Sequence, residues 1–355
     1  MYVQGYAAHT PTDPLAPFAF QRRTPRPDDV VIDILYCGVC HTDLHFARNH
    51  GGVTAYPVVP GHEIVGRVSH VGAQVTRFKA GDIVGVGCMV DSCGHCPACT
   101  LGLEQACHEG ATFTYGFLDR RDGMRNYGGY SERIVAPDRF VLHVPDGLDP
   151  AAAAPLLCAG ITTWSPLRQW KVGPGSKVGV VGLGGLGHMA IKLAKALGAE
   201  VTLFTRSADK AADARALGAD HVVLSGHADQ LAAVGGKFDV IIDTVPYVHD
   251  VNPFMATLGF EGVLVLVGYF GPLEPPVTAG PLLHGRRVLT GSFIGGIHET
   301  QQMLDFCGQH GIVSDIEMMA IQDINAAYDR MLKSDVKYRF VIDMASLGRP
   351  GAGHG

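Results

Sequence analysis

The sequence predicts an α/β protein of two domains, one β-rich and barrel-like, the other a doubly wound parallel sheet of six strands. Three observations carry that expectation. Short strands broken by glycine and proline turns fill the chain before residue 150. Short apolar strands alternate with helical periods after it. The length, 355 residues, suits two domains at a soft prior of roughly 150 residues each. Residues 1–150 and 297–355 are expected to form one domain and residues 151–296 the other.

The β-rich part rests on candidate strands Val30–Tyr36, Ile64–His70 and Ile83–Gly87, with turns at Pro60-Gly61 and Ala80-Gly81-Asp82. No long helical period runs between Val30 and Val144. Ala151–Ala154, followed by Pro155, opens a helical stretch. Beyond Lys177, strands are expected at Val178–Val181, Val201–Phe204, His221–Val223, Val240–Asp243, Val263–Val267 and Val288–Ser292. Between the first two, Leu186, Met189, Ala190, Leu193, Ala194 and Leu197 recur at helical spacing and so share one face. A second helix, Ala208–Leu217, should stop at Gly218. Strands this short, alternating with helices, imply parallel pairing. After Ile297 the pattern is mixed. Asp323–Leu332 reads as a helix and Phe340–Asp343 as a strand, a tail expected to fold back on the first domain. Pro350–Gly355 reads as a loose end.

Composition narrows the class. Hydrophobic residues make up 47% and charged residues 17%, enough apolar material for sizeable cores. The net charge of -6 argues against a nucleic-acid-binding surface. Met1–Thr24 lacks a basic segment followed by an apolar one, and no window has the ~18 continuous apolar residues of a membrane span. The expectation is a cytoplasmic protein. Nine cysteines is an odd number and fits metal ligation better than a disulfide framework.

The first chemical motif is Val178-Gly-Val-Val-Gly182-Leu-Gly184-Gly185-Leu186-Gly187. It is a strand, then G-x-G-x-x-G, then a helix, the context a dinucleotide site requires. Gly182 makes the tight turn, Gly184 lets a pyrophosphate approach the backbone, and Gly187 lets helix and strand pack closely. The helix N-terminus offers N–H groups to the phosphates. NAD-selective sites carry an acid about 20 residues further on, for the ribose 2′-OH. Thr205 stands there instead. Arg206, Ser207 and Lys210 offer cationic and hydroxyl donors suited to a 2′-phosphate. NADP(H) is therefore expected over NAD(H), which stays the alternative.

The second motif is Cys93-Gly-His-Cys96-Pro-Ala-Cys99 with Cys107, four thiolates in one loop. Four thiolates around zinc form a closed, anionic, electron-rich site, which makes it structural. An iron–sulfur cluster is the competing reading of such spacing. A third set is dispersed: Cys40 in Gly38–His45, His62 in Gly61-His-Glu63, and Cys158 in Leu157–Gly160. Two thiolates and one imidazole leave a position open and a near-neutral metal. Singly, each is more readily an ordinary core residue; the surrounding motifs make the case.

Those motifs carry a resemblance. Gly61-His62-Glu63-x2-Gly66-x5-Gly72-x2-Val75 resembles the signature of zinc-containing alcohol dehydrogenases of the medium-chain dehydrogenase/reductase superfamily. Tyr36–His45, Pro60–Gly66, Ala154–Thr163 and Tyr338–Asp343 resemble its cinnamyl alcohol dehydrogenase branch, with the broad-range NADPH aldehyde reductases. The likeness runs from about Tyr6 to Met344.

The resemblance implies a GroES-like catalytic domain beside a Rossmann domain. It implies catalytic zinc on Cys40, His62 and Cys158, with Glu63 as a possible alternate ligand and Asp43 orienting His62. Thr42 would contact the substrate oxygen and His45 would end a proton relay. Arg339 would meet the cofactor phosphates, and backbone at Ser292–Ile294 would hold the nicotinamide carboxamide. Thr162 joins the cofactor-binding set with Gly185 and Leu186. The chain departs from the family at Arg206, where a small hydroxyl residue is usual. The implied reaction interconverts primary alcohols and aldehydes, by hydride transfer from nicotinamide to a zinc-bound carbonyl. Aldehyde reduction is favoured, on aromatic, cinnamyl or medium aliphatic compounds. The partners implied are that small molecule and a second copy of the chain, joined near Arg287–Ser292, with no nucleic acid or membrane. The rivals are a zinc-free quinone or enone reductase and a non-catalytic NADPH sensor. Cys37, Cys88 and Cys307 read as small buried hydrophobes, and His41, His95 and His188 as surface or packing residues. Trp164, Trp170 and Phe113–Tyr115 are candidates for an aromatic-lined pocket.

Overall fold

A computed structural model describes residues 1–269 and 271–348; the expected loose end at Pro350–Gly355 lies outside them. The chain divides into two compact units, Met1–Cys158 with Gly296–Gly355, and Ala159–Gly295.

The first unit is organised by the strand Asp29–Gly38, whose residues are buried along most of its length. Val30, Val31, Ile32 and Ile34 supply its buried apolar side chains, while Asp33 breaks the run and pairs with Arg133. The strand pairs antiparallel with Ile64–Val71, Arg133–Pro137 and Arg339–Asp343. The sheet continues through Ile83–Val86 to Leu142–His143 on one side and to Ile316–Ala320 on the other. Ile32, Ile64, Val84, Tyr130, Phe340 and Ile342 are among the side chains filling its core.

Three features differ from expectation. A helix, His41–Ala47, interrupts the β-rich region; it is too short for an apolar period to show. The tail holds a helix of 14 residues, Ile297–His310, and the strand Ile316–Ala320. The expected boundary at residue 150 falls inside the first unit, which runs to Cys158. Its last residues form two short helices, Pro150–Ala153 and Ala154–Leu157, which are buried and pack on the strands of the first sheet.

The second unit is a six-stranded sheet. Its order is His221–Leu224, Glu200–Thr205, Lys177–Val181, Phe238–Asp243, Leu258–Leu266, Val288–Gly291, and every pairing is parallel. In chain order this is 3-2-1-4-5-6, the doubly wound arrangement. Val181, Phe204, Phe238, Ile241, Phe254 and Leu264 pack one face. The helix Lys210–Ala216 ends where Gly218 takes a φ of 112°, a left-handed cap that favours glycine. Strand order reverses at Lys177–Val181, and ligands of such sheets bind beyond the carboxyl ends at that point. No helix among the described residues is long and apolar enough to cross a membrane.

Candidate active site

Strand Asp29–Gly38 feeds directly into helix His41–Ala47, and the residues between carry the site. Asp43 sits in the first turn with its carboxylate wholly buried. Its Oδ2 accepts from the Cys40 N–H at 2.9 Å and the Tyr130 hydroxyl at 3.3 Å. Its Oδ1 accepts from the Gly61 N–H at 2.9 Å and from His62 Nδ1 at 2.9 Å. One carboxylate thus ties the Cys40 turn to the His62 loop and fixes the imidazole with Nε2 free to bind a metal. A carboxylate placed so is able to orient a metal-bound histidine. Gly61 holds a φ of 106°, and a Cβ there would meet backbone nitrogens of Gly129 and Tyr130 at 2.7 and 2.8 Å. Only glycine closes this turn.

Cys40, His62, Glu63 and Cys158 offer ligand atoms that all lie within 4.8 Å of one another, and all four residues are buried. The Cys40 and Cys158 sulfurs are 4.0 Å apart. Tetrahedral zinc with Zn–S near 2.3 Å sets its sulfurs about 3.8 Å apart, so the donor set fits the ion. The Cys158 thiol bonding to Cys40, aided by Arg339 and His62, holds Cys40 well below the usual thiol range. One side of the pair is poised as thiolate, which is the form that binds metal.

Glu63 lies behind this set. Burial pushes its carboxyl up to about 7, against the pull of Arg339. Its Oε1 pairs with Arg339 Nη2, and its Oε2 has no partner among the described residues. An orphaned carboxylate oxygen beside two thiols suits the alternate-ligand expectation. Gly38 makes room for it, since a Cβ there would come within 1.9 Å of Oε2. Arg339 is buried against Glu63, a placement the sequence did not indicate.

Thr42 and His45 are exposed. The Cys40 sulfur is 3.7 Å from the Thr42 hydroxyl, which puts that hydroxyl beside the metal set. Thr42 and His45, three apart on one helix, share a face. His45 Nδ1 is hydrogen-bonded at 2.7 Å to Nδ1 of His50, a neighbour the sequence did not single out. Tyr115 is buried with its ring 5.9 Å from that of His62 and packs edge-on against Phe46. The Phe113 and Phe117 rings lie 5.0 Å apart, tilted by 49°. Trp164 is buried in helix Ala159–Gln169, with Arg168 over its ring, and Trp170 is half-buried.

Cys37 and Cys307 are buried as expected, but Cys88 is only half-buried. It bonds to the Leu157 carbonyl at 3.7 Å and helps raise the Cys158 thiol. It therefore belongs to the surroundings of the metal set rather than to the hydrophobic core.

The four-cysteine loop forms a second cluster. Cys93, Cys96, Cys99 and Cys107 present sulfurs within 4.8 Å of one another, and the Cys93–Cys99 separation is 3.8 Å. Backbone N–H groups of Cys93, Cys96 and His108 point at sulfurs at 3.3 to 3.4 Å. Such donors stabilise thiolates. Those of Cys99 and His108 bring the Cys96 thiol down to about 6. Four ligands leave no open position, so an ion here is a staple. Cys96→Ser is expected to lower zinc content from about two to about one per chain. The unfolding midpoint should drop by roughly 4 °C or more, with turnover per folded chain retained. Elemental analysis beside a thermal melt checks this; loss of turnover with an unchanged melt would contradict it.

In the second unit, the glycine turn links strand Lys177–Val181 to helix Gly187–Ala196. Gly182 has a φ of 90°, and a Cβ on Gly187 would lie 2.1 Å from the Gly182 carbonyl oxygen. A Cβ on Gly184 would meet nothing within 4 Å. Protein packing demands the first and third glycines but not the second. The space beside Gly184 is open, as the approach of a pyrophosphate to backbone would require. Gly185 and Leu186 lead into helix Gly187–Ala196. Lys210 Nζ reaches back to the Leu183 carbonyl at 3.1 Å, which sets its charge at this turn. Thr205 is buried and accepts from the Ser207 N–H at 3.2 Å. Ser207 bonds to Asp209 at 2.9 Å, an acid the sequence reading passed over. Thr162 is buried in its helix. The Ser292 N–H donates to the Leu266 carbonyl at 3.0 Å, so the carboxamide role expected of that stretch cannot use it. Ile294 takes a φ of 42°, a left-handed backbone unusual for a β-branched residue.

The alcohol dehydrogenase GroES-like domain matches residues 26–146 and the zinc-binding dehydrogenase domain residues 185–309. The chain is 52% identical to the aldehyde reductase YahK of Escherichia coli over 98% of its own length and 99% of that protein's. It superposes on a cinnamyl alcohol dehydrogenase of Sorghum bicolor with a TM-score of 0.93 and 45% identity, covering 97% of this chain and 98% of that one. The cinnamyl alcohol dehydrogenase of Helicobacter pylori, solved with NADP(H), gives 0.90 and 41%, covering 97% and 99%. The chain belongs to the zinc-containing medium-chain alcohol dehydrogenases.

Proposed function

We propose that this protein is an NADP(H)-dependent, zinc-dependent alcohol dehydrogenase working chiefly as an aldehyde reductase. The observation that carries the reading is the buried set of Cys40, His62 and Cys158, with Glu63 behind it, in a chain of this family. That set argues against the zinc-free reductases. When bound, zinc there supplies Lewis-acid polarisation and the cofactor supplies hydride. The chain's own residues do the rest. Asp43 fixes the His62 tautomer, and Glu63 with Arg339 keeps a compensating charge pair behind the thiols. The Thr42 hydroxyl passes a proton between substrate oxygen and His45, its neighbour on the helix face. Tyr115 beside His62 supports a flat, apolar substrate end, which suits aromatic and cinnamyl aldehydes.

The unit Met1–Cys158 with Gly296–Gly355 serves as the catalytic domain and Ala159–Gly295 as the cofactor domain. Thr162, Gly182, Gly184, Gly185, Leu186 and Gly187 hold the dinucleotide, and Arg206, Ser207 and Lys210 its 2′-phosphate. Arg339 reaches the phosphates while keeping its pairing with Glu63. The name of the Escherichia coli relative and the ligand of the Helicobacter pylori structure support reduction with NADPH. Val288–Gly291 is an edge strand, and a homodimer joined along it, in the cytoplasm, completes the reading. Oxidation of NADPH followed by absorbance with benzaldehyde and cinnamaldehyde tests it. Turnover should be lost on chelation, and kcat/KM should favour NADPH over NADH by roughly tenfold or more, about 1.4 kcal/mol. A preference for NADH, or no turnover with any aldehyde, would overturn it.

A further inference from the structure

Beyond the carboxyl ends of the central strands, two loops meet above the glycine turn. Arg206 follows strand Glu200–Thr205, and Tyr247 follows strand Phe238–Asp243. Both strands flank Lys177–Val181 in the sheet. Arg206 and Tyr247 therefore reach toward each other across the end of the strand that leads into Gly182. They touch: Arg206 Nη2 donates to the Tyr247 hydroxyl at 2.8 Å, and the guanidinium carbon lies 5.6 Å from the ring centroid. Tyr247 is 49% exposed, so apolar burial does not account for an aromatic residue here.

The loop carrying Tyr247 is anchored at both ends. The Thr244 hydroxyl donates to the Val181 carbonyl at 2.7 Å, and the Val245 N–H to Asp243 Oδ1 at 3.1 Å. At the far end, His249 Nε2 meets Asp243 Oδ2 at 2.7 Å and Nδ1 meets the Tyr247 carbonyl at 2.9 Å. Carbonyl and carboxylate both accept, so both ring nitrogens donate. The Tyr247 backbone is thereby clamped to the end of a core strand. No carboxylate pairs with Arg206 among the described residues. A guanidinium has five donors, so the contact with Tyr247 leaves several of them for a ligand.

We propose that Tyr247 is a positioning residue for cofactor specificity, holding Arg206 over the glycine turn so that its remaining donors meet the 2′-phosphate of the adenosine ribose. The inference rests on the NADP(H) reading above. An unrestrained arginine loses rotamer entropy when it captures a phosphate. A guanidinium already stacked on a fixed ring and bonded to its hydroxyl loses less, and so binds more tightly. The ligand recognised is a ribose 2′-phosphomonoester, and the discrimination is against a free 2′-hydroxyl.

The test uses the full-length enzyme with Tyr247→Ala, Tyr247→Phe and Arg206→Ser, measuring affinity for 2′,5′-ADP and 5′-AMP by calorimetry and kcat/KM with NADPH and NADH. Tyr247→Ala should weaken 2′,5′-ADP by roughly five- to tenfold while leaving 5′-AMP and the NADH reaction within about twofold. Tyr247→Phe keeps the stack, loses the hydroxyl, and should fall between the wild type and Tyr247→Ala. Equal weakening of both nucleotides would show that the ring stacks on adenine or merely supports the fold, and would overturn the proposal. So would an unchanged Tyr247→Ala beside a weakened Arg206→Ser, though the NADP(H) reading would then stand. A wild-type enzyme that binds 5′-AMP as tightly as 2′,5′-ADP would sink that reading, and this inference with it.

Discussion

Cys158→Ser is expected to remove the catalytic zinc and lower kcat/KM for aldehyde reduction by roughly a thousandfold or more, with the fold kept. Lewis-acid stabilisation of a developing alkoxide is worth several kcal/mol, and each 1.36 kcal/mol is tenfold in rate. Serine occupies less space than cysteine at this buried position and creates no clash. Its hydroxyl is not a thiolate at neutral pH, so the set falls to one thiolate and one imidazole. Zinc content should drop by about one per chain, because the four-cysteine cluster is built from other residues. Binding of 2′,5′-ADP should be unchanged, since the glycine turn belongs to the second unit. A variant that retains full activity after dialysis against a chelator would refute the role given to Cys158. A variant that fails to bind 2′,5′-ADP would show that the change spread beyond the metal set.

The four-cysteine loop stands out in the sequence because its spacing is chemically constrained, whereas Cys40, His62 and Cys158 are dispersed and were suggested only by the motifs around them. Four cysteines in one loop can scarcely mean anything but a metal. Gly182 and Gly187 are required by backbone approach, and that requirement leaves its mark as glycine. The strands of the second unit were legible for a related reason: most are short and largely apolar, as in Val178–Val181 and Val263–Leu266.

What the sequence withheld was tertiary. Arg339 and Glu63 are 276 positions apart, and no local pattern links them. Tyr130 reaches Asp43 across 87 positions for the same reason. Helix His41–Ala47 escaped because its buried apolar face, Leu44 and Ala47, is too short for a period to show, and the Asp43 carboxylate with its donors fixes the turn. Arg206 could be read as a phosphate ligand, but its contact with Tyr247 depends on which strands are neighbours. Cys88 shows the opposite failure, since a lone cysteine reads as core until the fold brings it beside Cys158.

Asp43 is where these separate pieces converge, and its replacement carries the second large expected effect. Asp43→Ala leaves four donors without their acceptor: the Cys40 and Gly61 N–H groups, His62 Nδ1 and the Tyr130 hydroxyl. Each buried donor left unpaired costs about 1–3 kcal/mol. Water entering the cavity relieves part of this, so a net loss of about 3–5 kcal/mol is expected, read as a lower denaturant midpoint. The imidazole also loses the partner that fixes Nε2 toward the metal. Asp43→Asn separates the two effects. The amide nearly matches the carboxylate in shape, but only its oxygen accepts, and its NH2 faces donors on the other side. Stability should recover in part, while zinc affinity stays roughly 10- to 100-fold down, the usual cost of losing a carboxylate behind a metal-bound histidine. Competition with a chromogenic chelator measures that affinity directly. If Asp43→Asn bound zinc as tightly as the wild type, Asp43 would be a fold residue alone, and the tautomer argument for His62 would fail.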